Sequence, residues 1–486
     1  MRLIISVIIF STFFNLKAQN ILEKPNIIFV LLDDLGKEWI SCYGGENIET
    51  PRIDKLAAEG LMFENAYSMP QCTPSRVALI TGQYPFRNGW VNHFDVPRWG
   101  VGYFDWDNNP SIAKTLKSAG YKTAVAGKWQ INDFRLQPDA MVKHGFDEYC
   151  MWTGAESAKD KSHTFKSSKR YWNPYIHTKK GTMVYKDKFG PDVFNEFVLN
   201  FITENKENPF FIYYPMVLPH SPFVNTPLEL GVKDKYSKHK AMVKYIDHLT
   251  GKLIDHLTNL GLRENTIVVW TSDNGTSTKI NNTRHGKLVK GGKMQTTENG
   301  VNTPFIVSCP SLIPQGKTTD ALVDFTDMHQ TFADFAGVTP DQSYVYDGLS
   351  AKEVFLNTTK GTRTWVMAMG SEPGVFTHKG IENKFYFRDR VLRNERYKIF
   401  IDSNREVVKL IDLKNDPEEK LNLIDNPEYK SILQDLSEKI DVFPEYDQDP
   451  KYTVRKPNPW DRKATRPSKV HKKGYPNTAK SNRSQK

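Results

Sequence analysis

The 486-residue sequence predicts an α/β fold: a large, mostly parallel or mixed central sheet flanked by helices, with a smaller C-terminal α+β subdomain. Three observations support this. Short apolar, β-branched runs alternate with helical patterns through the first two thirds of the chain, the signature of a sheet covered on both faces. Polar residues stand where these runs stop. Beyond about Pro340 the rhythm changes to the alternation expected of antiparallel strands.

In chain order, Met1 to Gln19 comes first, with Arg2 ahead of an apolar run from Leu3 to Leu16 and small or polar residues around Ala18. This is the layout of a secretory signal peptide. The run is shorter than the roughly 20 residues that cross a bilayer, so a membrane anchor is the weaker reading. No cysteine lies near the cleavage zone to take a lipid, and the mature protein is expected free in the periplasm or secreted. The strand runs follow: Asn26 to Leu32, Lys122 to Ala126, Pro209 to Val217, Thr266 to Thr271 and Thr303 to Ser308. At or just past their ends stand Asp33 and Asp34, Lys128, His220, and Asp273 and Asn274. In open α/β sheets the ligand crevice lies outside the carboxyl ends of the strands, so separate segments are directed to one place. FYFRDRVLRNERYKIFIDSNREVVKLIDL then reads as antiparallel strands, and Pro427 to Ile440 as helical. The expected division is a signal peptide over residues 1–19, a catalytic α/β domain over 20–340, a subdomain with a small antiparallel sheet over 341–445, and a basic, proline-containing tail over 446–486.

The formal net charge of +10 is local. Of 66 basic and 56 acidic residues, Lys451 to Lys486 takes twelve and one, which leaves the body near neutral. That tail, rich in Pro, Ser and Asn, reads first as a solvated or loosely docked end. Nucleic acid does not suit an exported chain, for which a sulfated polymer is the more natural polyanion. The four cysteines, Cys42, Cys72, Cys150 and Cys309, are few for an exported protein of this length, and if Cys72 is used in chemistry they permit one bridge at most.

Cys72-Thr73-Pro74-Ser75-Arg76 precedes VALITG, with Pro74 where a first helical turn tolerates it and Thr73 available as a cap. Cys72 is therefore expected just ahead of a helix N-terminus, where unpaired N–H groups favour an anion. Alone, the segment reads equally as an ordinary buried cysteine before a helix. Asp33, Asp34, Asp273 and Asn274 offer four hard oxygen donors from two strand ends. Such a set suits calcium or magnesium rather than zinc, although each pair alone would serve as a turn former.

C-T-P-S-R resembles the C-x-P-x-R signature of type I sulfatases, members of the alkaline phosphatase superfamily. NIIFVLLDDLG, TPRIDKLAAEGLMFENAYS, ALITGQYPFRNG, GYKTAVAGKW, HGFDEY, LPHSPF, VVWTSDNG, GGKMQTTENG and DFTDMHQTFADFAGV occur in that family's order over roughly Asn26 to Leu423. Nine ordered blocks are far more specific than one short motif. The resemblance implies an alkaline phosphatase-like fold and oxidation of Cys72 to Cα-formylglycine (3-oxoalanine) by a formylglycine-generating or anaerobic sulfatase-maturating enzyme. It selects calcium as the ion of Asp33, Asp34, Asp273 and Asn274. It also implies that Arg76 supports the formylglycine, that Lys128 and Lys293 contact the sulfate, and that His220 protonates the leaving alcohol. One departure stands out: the family usually reads G-K-W-H, and here Gln130 replaces that histidine. Glutamine donates a hydrogen bond but takes up no proton, which leaves the base for sulfate release open.

For the sugar, Trp90 to Trp106 mixes His93, Arg98 and Trp99 with further aromatics, a composition that suits an anionic sugar and equally a packed loop. Arg284 and His285, shortly before Lys293, and Gln130 are further substrate-binding candidates, with Trp152, His163, Arg170 and Trp172 behind them. The leading expectation is a sulfatase acting on sulfated polysaccharide-derived oligosaccharides. The alternatives are a phosphonate or phosphate ester hydrolase of the same superfamily and a non-catalytic sulfoglycan-binding protein, the latter motivated by Gln130.

Overall fold

A computed structural model of the chain describes residues 24–93, 102–155, 169–361, 363–371, 374–377, 380–453 and 472–474. The proposed signal segment, and Arg98, Trp99 and His163, lie outside these residues.

Ten strands form the main sheet: β1 (Asn26–Leu32), β2 (Leu61–Tyr67), β3 (Lys122–Lys128), β4 (Glu148–Trp152), β5 (Tyr175–Thr178), β6 (Gly181–Val184), β7 (Phe210–Pro215), β8 (Thr266–Ser272), β11 (Phe305–Ser308) and β12 (Lys317–Asp324). A separate hairpin of β9 (Asn281–Arg284) and β10 (Lys287–Lys290) lies between β8 and β11 in sequence. The order across the main sheet is β12-β2-β11-β8-β1-β7-β3-β4-β5-β6. β8, β1, β7, β3 and β4 run parallel, whereas β11 pairs antiparallel with both β8 and β2. All five apolar runs read from the sequence are strands of this sheet. β1 shows why they are continuous rather than alternating. Ile27, Phe29 and Leu31 enter the core on one face, and Ile28, Val30 and Leu32 the core on the other. With both faces covered, each aliphatic side chain contributes roughly 1.5–3 kcal/mol by burial, and no position favours a polar residue. Helices Gly190–Glu204 and Lys235–Asn259 cover one face, and Cys72–Thr81 and Asp327–Ala336 the other.

The C-terminal region forms a four-stranded antiparallel sheet, β13 (Val366–Met369), β16 (Arg390–Arg393), β17 (Tyr397–Ile401) and β18 (Val407–Asp412), in that spatial order, beside a short pair, β14 (Val375–Phe376) and β15 (Ile381–Glu382). Helix Lys430–Glu438 packs on it through Leu436. Its core is shared with the large sheet. Tyr67 and Met69, just before Cys72, and Tyr84, Phe86 and Val91, just after that helix, pack with Val391, Ile399 and Leu410. A buried ionic cluster joins the same surfaces. Glu298 accepts from Lys398 Nζ and Arg393 Nη1, both at 2.9 Å, and from the Tyr67 hydroxyl, while Lys398 also reaches Glu419 at 2.8 Å. The cysteines are all free, so no disulfide reinforces this junction.

Lys398 is fully buried between two carboxylates, and removing one partner of such a cluster leaves uncompensated charge. Lys398→Met is expected to cost about 3–5 kcal/mol of unfolding free energy by urea titration. A loss below about 1 kcal/mol would mean that the shared apolar core alone holds the junction.

Candidate active site and cation centre

Strand register delivers the acids. β1 and β8 are parallel with Leu32 opposite Ser272, so Asp33-Asp34 and Asp273-Asn274 leave the sheet side by side. The Asp34 N–H donates to Asp273 Oδ1 at 3.1 Å, and Asn274 Nδ2 to Asp34 Oδ1 at 2.9 Å. β3 ends on Lys128, whose Nζ lies 2.7 and 2.8 Å from the two oxygens of Asp33. Gly127 permits that approach. Its φ is 121°, and an added Cβ would stand 2.0 Å from the Pro215 carbonyl oxygen of β7, so only glycine fits.

The helix of the C-T-P-S-R segment starts on Cys72 itself, with Gln71 extended at the N-cap, rather than after Cys72 with Thr73 as cap. Pro74 does not prevent this, because the first-turn N–H groups have no intrahelical partner to lose. The Ser75 hydroxyl fastens the turn instead. It bonds the Gln71 carbonyl at 3.1 Å, the Met69 backbone at 3.0 Å and the Asp273 carbonyl of the neighbouring segment. One residue on, Arg76 donates from Nε and Nη2 to Asp273 Oδ2 at 3.0 and 2.6 Å and from Nη1 to the Lys128 carbonyl at 3.0 Å. The Cys72 thiol is thereby set 3.4 Å from Asp33 Oδ1, 3.7 Å from Asp34 Oδ1 and 3.5 Å from Lys293 Nζ. Lys293 Nζ is also 2.7 Å from the Asp34 carboxylate.

His220 lies between the cis peptide bonds Leu218–Pro219 and Ser221–Pro222 in the loop after β7. Its Nε2 is 3.6 Å from Asp34 Oδ2, and its Nδ1 is 2.6 Å from the Ser221 carbonyl. Arg170 enters the same cluster. Its Nη1 is 3.2 Å from His220 Nδ1 and 3.7 Å from Asp33 Oδ2, and its guanidinium lies over the Trp152 ring at 4.2 Å. Sequence reasoning named Arg170 only as a weak sugar candidate, because no strand end or motif marks it. The binding of Ser75 to Asp273 was likewise not read, since a serine inside a helical turn carries no signal of a partner on a distant strand.

The acids differ in proton affinity for identifiable reasons. Burial alone would raise the Asp33 carboxyl, but Lys128, His220, Arg76 and Lys293 override it and hold it well below the usual range. For Asp34, burial is likewise outweighed, by Lys293 and His220, and the carboxyl falls to about 2. Burial lifts Asp273 to about 6 against the Arg76 guanidinium, with Asp33 adding to the rise. Burial, followed by Asp273, pushes the Cys72 thiol up, so its sulfur stays protonated and a poor nucleophile. Burial takes His220 down to about 3 although Asp33 and Asp34 oppose it, and the imidazole is neutral near pH 7.

The other candidates are placed variously. Gln130 is 5% exposed with φ 82°, and its Oε1 has no hydrogen-bond partner among the described residues. The His93 N–H donates to Gln71 Oε1 at 3.2 Å, and after burial the charges of Lys293 and Lys128 lower its imidazole, which puts it near the cluster. Arg284 and His285 belong to the β9–β10 hairpin instead. Arg284 Nε donates to the Tyr43 carbonyl at 2.7 Å and His285 abuts Gly44, with no hydrogen bond or ion pair from either to the cluster. Trp172 is exposed and donates to the Asn225 carbonyl at 2.9 Å.

The donor set fits a hard divalent cation. Ligand atoms of Asp33, Asp34, Cys72 and His220 lie within 4.8 Å of one another, and Asn274 Oδ1 is buried with no hydrogen-bond partner among the described residues. An amide oxygen so placed costs free energy unless something accepts its lone pairs, and convergent carboxylates favour a cation in that role.

A family profile described as Sulfatase matches residues 25–338, and one described as N-sulphoglucosamine sulphohydrolase, C-terminal, matches residues 292–445. The chain is 31% identical over 360 residues to the N-acetylgalactosamine-6-sulfatase of Canis lupus familiaris, which covers 67% of this chain and 65% of that relative. It is 28% identical over 465 residues to the ulvan-active sulfatase of Formosa agariphila, covering 86% and 80%. The crystal structure of Ps i-CgsB, also solved with k-i-k-neocarrahexaose, superposes with a TM-score of 0.73 at 26% identity, covering 88% of this chain and 95% of that one.

Arg76→Gln would strip Asp273 of its ion pair inside the protein. It is expected to lower the unfolding free energy by about 3–5 kcal/mol, read from the guanidinium chloride midpoint. An unchanged midpoint would show that the Arg76–Asp273 pair is not what holds the helix to the strand end.

Proposed function

Since this chain belongs to the sulfatase family, we propose that it is an exported hydrolase of sulfate esters on sulfated polysaccharide-derived oligosaccharides, using a formylglycine made from Cys72 and a calcium ion held by Asp33, Asp34, Asp273 and Asn274. The observation that carries this reading is the position of Cys72. It opens a helix in a buried crevice within reach of two carboxylates and a lysine, in a protonation state that gives the sulfur itself little use. Residues 20–340 form the catalytic unit in this proposal and 341–445 a subdomain packed against it. In this proposal export follows from the leader-like segment 1–19; among the described residues, no helix is long and apolar enough to cross a membrane. A sulfatase-maturation enzyme is the implied partner.

A formylglycine at position 72, once hydrated, would supply hydroxyls for sulfate transfer and release, and a calcium ion held by Asp33, Asp34, Asp273 and Asn274 would supply Lewis acidity and offset the carboxylates. The chain's own residues do the remainder. Lys128 and Lys293 hold the sulfate oxygens and stabilise charge that grows as the ester bond breaks. Arg76 fixes Asp273 and the Lys128 carbonyl, and so positions both the acid and the lysine. A sulfate ester beside His220 Nε2 adds negative charge that favours the imidazolium, which then protonates the leaving sugar oxygen. Gln130 orients a neighbouring oxygen through its amide without taking up the proton released with sulfate.

Cys72→Ala is expected to abolish sulfate release, and Lys128→Ala to cost at least about 3 kcal/mol, roughly a hundredfold in kcat. The assay is sulfate release from defined sulfated oligosaccharides by protein whose Cys72 oxidation has been verified by peptide mass. Near-normal turnover by either variant contradicts the proposal, and faster hydrolysis of an aryl phosphate than of an aryl sulfate favours the phosphate-ester reading. Chelation by EGTA is expected to lower both Tm and activity, with recovery on adding Ca2+ but not Zn2+. Indifference to EGTA would remove the calcium assignment.

A further inference from the structure

The formal charges of residues 1–450 nearly cancel, with 54 basic and 55 acidic side chains, yet two segments of that body concentrate one sign. From Lys233 to Lys244 the chain holds five lysines and one acid, and from Lys279 to Lys293 four lysines, one arginine and no acid. A single charge run is usually a solvated face. These two are distant in sequence and meet in the fold.

The first run opens helix Lys235–Asn259, and the second spans the β9–β10 hairpin. Lys235 Nζ donates to the Lys279 carbonyl at 3.1 Å and the Tyr236 hydroxyl to Asn282 Oδ1 at 3.0 Å, so the start of the helix lies against the base of the hairpin. The hairpin is in turn fixed to the body, because Asn282 Nδ2 donates to the carbonyls of Glu38 and Glu46 at 2.7 and 2.8 Å. Its register sets Lys287 opposite Arg284, a like-charge pair that weakens a two-stranded ladder, so the hairpin's own stability does not account for its charge.

Nearby carboxylates neutralise only part of this surface. Glu229 takes Lys244 at 2.9 Å and Glu418 takes Lys287 at 3.5 Å, while Asp234 accepts from the Ser237 N–H at 2.9 Å and Glu46 from the Gly286 N–H at 2.6 Å. Lys233, Lys235, Lys238, Lys240, Lys279 and Lys290 have no carboxylate partner among the described residues, and four of them, Lys233, Lys235, Lys279 and Lys290, are exposed. Like charges held together at one surface raise a positive potential that draws in a polyanion and that salt screens. The hairpin also leads to the catalytic cluster. β10 continues through Gly291 and Gly292 to Lys293, whose Nζ is 2.7 Å from the Asp34 carboxylate, and three residues of chain place Lys290 within about 11 Å of Lys293.

We propose that the helix start and the hairpin form a docking surface for the polymeric part of a sulfated polysaccharide, outside the crevice that takes the ester being cleaved. The proposal rests on the sulfatase reading above, and it adds that the substrate is a chain carrying several sulfates, held by more than the one that reacts. Lysine suits such a role. Its compact ammonium pairs with a sulfate in many orientations, whereas the planar guanidinium fork demands one, so the surface retains the polymer without selecting a sulfation pattern. Tyr236 is turned onto the Trp39 ring at 5.2 Å and is not offered for base stacking, which favours a glycan over single-stranded nucleic acid.

The test uses the full-length chain. In a Cys72→Ala background, which prevents turnover, binding of dextran sulfate is titrated against NaCl. The parent is compared with a variant carrying Lys233→Gln, Lys235→Gln, Lys279→Gln and Lys290→Gln, and with one carrying Arg at the same four positions. The parent is expected to lose affinity steeply with salt, the Gln variant to bind at least about tenfold more weakly at low salt with a flatter salt dependence, and the Arg variant to match the parent. The basic tail is common to all three and cancels. In matured protein with Cys72 intact, the Gln changes are expected to raise KM for a sulfated polymer about tenfold and to leave kcat/KM on an aryl sulfate within about twofold. Aryl sulfate turnover together with unchanged polymer binding by the Gln variant, or an equal loss in the Arg variant, overturns the docking surface and leaves the sulfatase reading standing. Tighter binding of duplex DNA or anionic phospholipid vesicles than of dextran sulfate, lost in the same Gln variant, reassigns the surface and overturns the proposal. Absence of turnover on every sulfate ester, the aryl sulfate included, overturns the sulfatase reading and with it a role for this surface in substrate capture.

Discussion

Three carboxylates, those of Asp33, Asp34 and Asp273, leave two adjacent parallel strands into a region closed to water, and neutralising them constrains the rest of the crevice. Buried charge without a partner costs several kcal/mol per ion, so each acid requires a cation. Arg76 comes from the helix that begins at Cys72, Lys128 from the end of β3, and Lys293 from the turn after β10. Each pairing fixes an element as well as a charge. The helix cannot slide without breaking Arg76 from Asp273, and β3 cannot withdraw without stranding Asp33. The nucleophile position is accordingly set by electrostatics as much as by packing.

The same balance bears on ligand binding. Three acids faced by Arg76, Lys128 and Lys293, with Arg170 behind, leave no net negative charge, so a divalent cation in the donor set would make the pocket electropositive. An anionic ester would then offset part of that positive charge. Burial raises the strength of each of these interactions, because the effective dielectric is lower than in water.

The C-terminal sheet is part of this arrangement and not an appendage. It shares a core with the residues on either side of the Cys72 helix, is tied to the large sheet through Glu298, Lys398 and Glu419, and lines, at Gly370, Ser371 and Asp389, a cleft shared with Met294 to Thr297. The rigidity of that wall follows from the bond of Ser371 Oγ to the Met294 carbonyl and from Arg388, which links two loops that are distant in sequence.

The sequence by itself determined the strands and their ends. Runs such as Asn26–Leu32 must be buried on both faces, and a polar pair at the end of such a run has nowhere to point except the crevice. From that followed the meeting of Asp33, Asp34, Lys128, Asp273 and Asn274 in one cluster. The helix starts two residues earlier than a Thr73 cap predicts, because propensity favours a threonine cap and only the bonds of Ser75 to Gln71, Met69 and Asp273 reveal the actual turn. Tertiary structure alone decided that Arg170 reaches His220 and Asp33, that Arg284 and His285 are taken up by a hairpin against residues 43 and 44, and that a cleft opens beside Met294. The physical reason is range. Local hydrophobic periodicity fixes a strand and the residue at its end, whereas an ion pair between segments more than a hundred residues apart depends on how loops close over the sheet, and no local pattern encodes that.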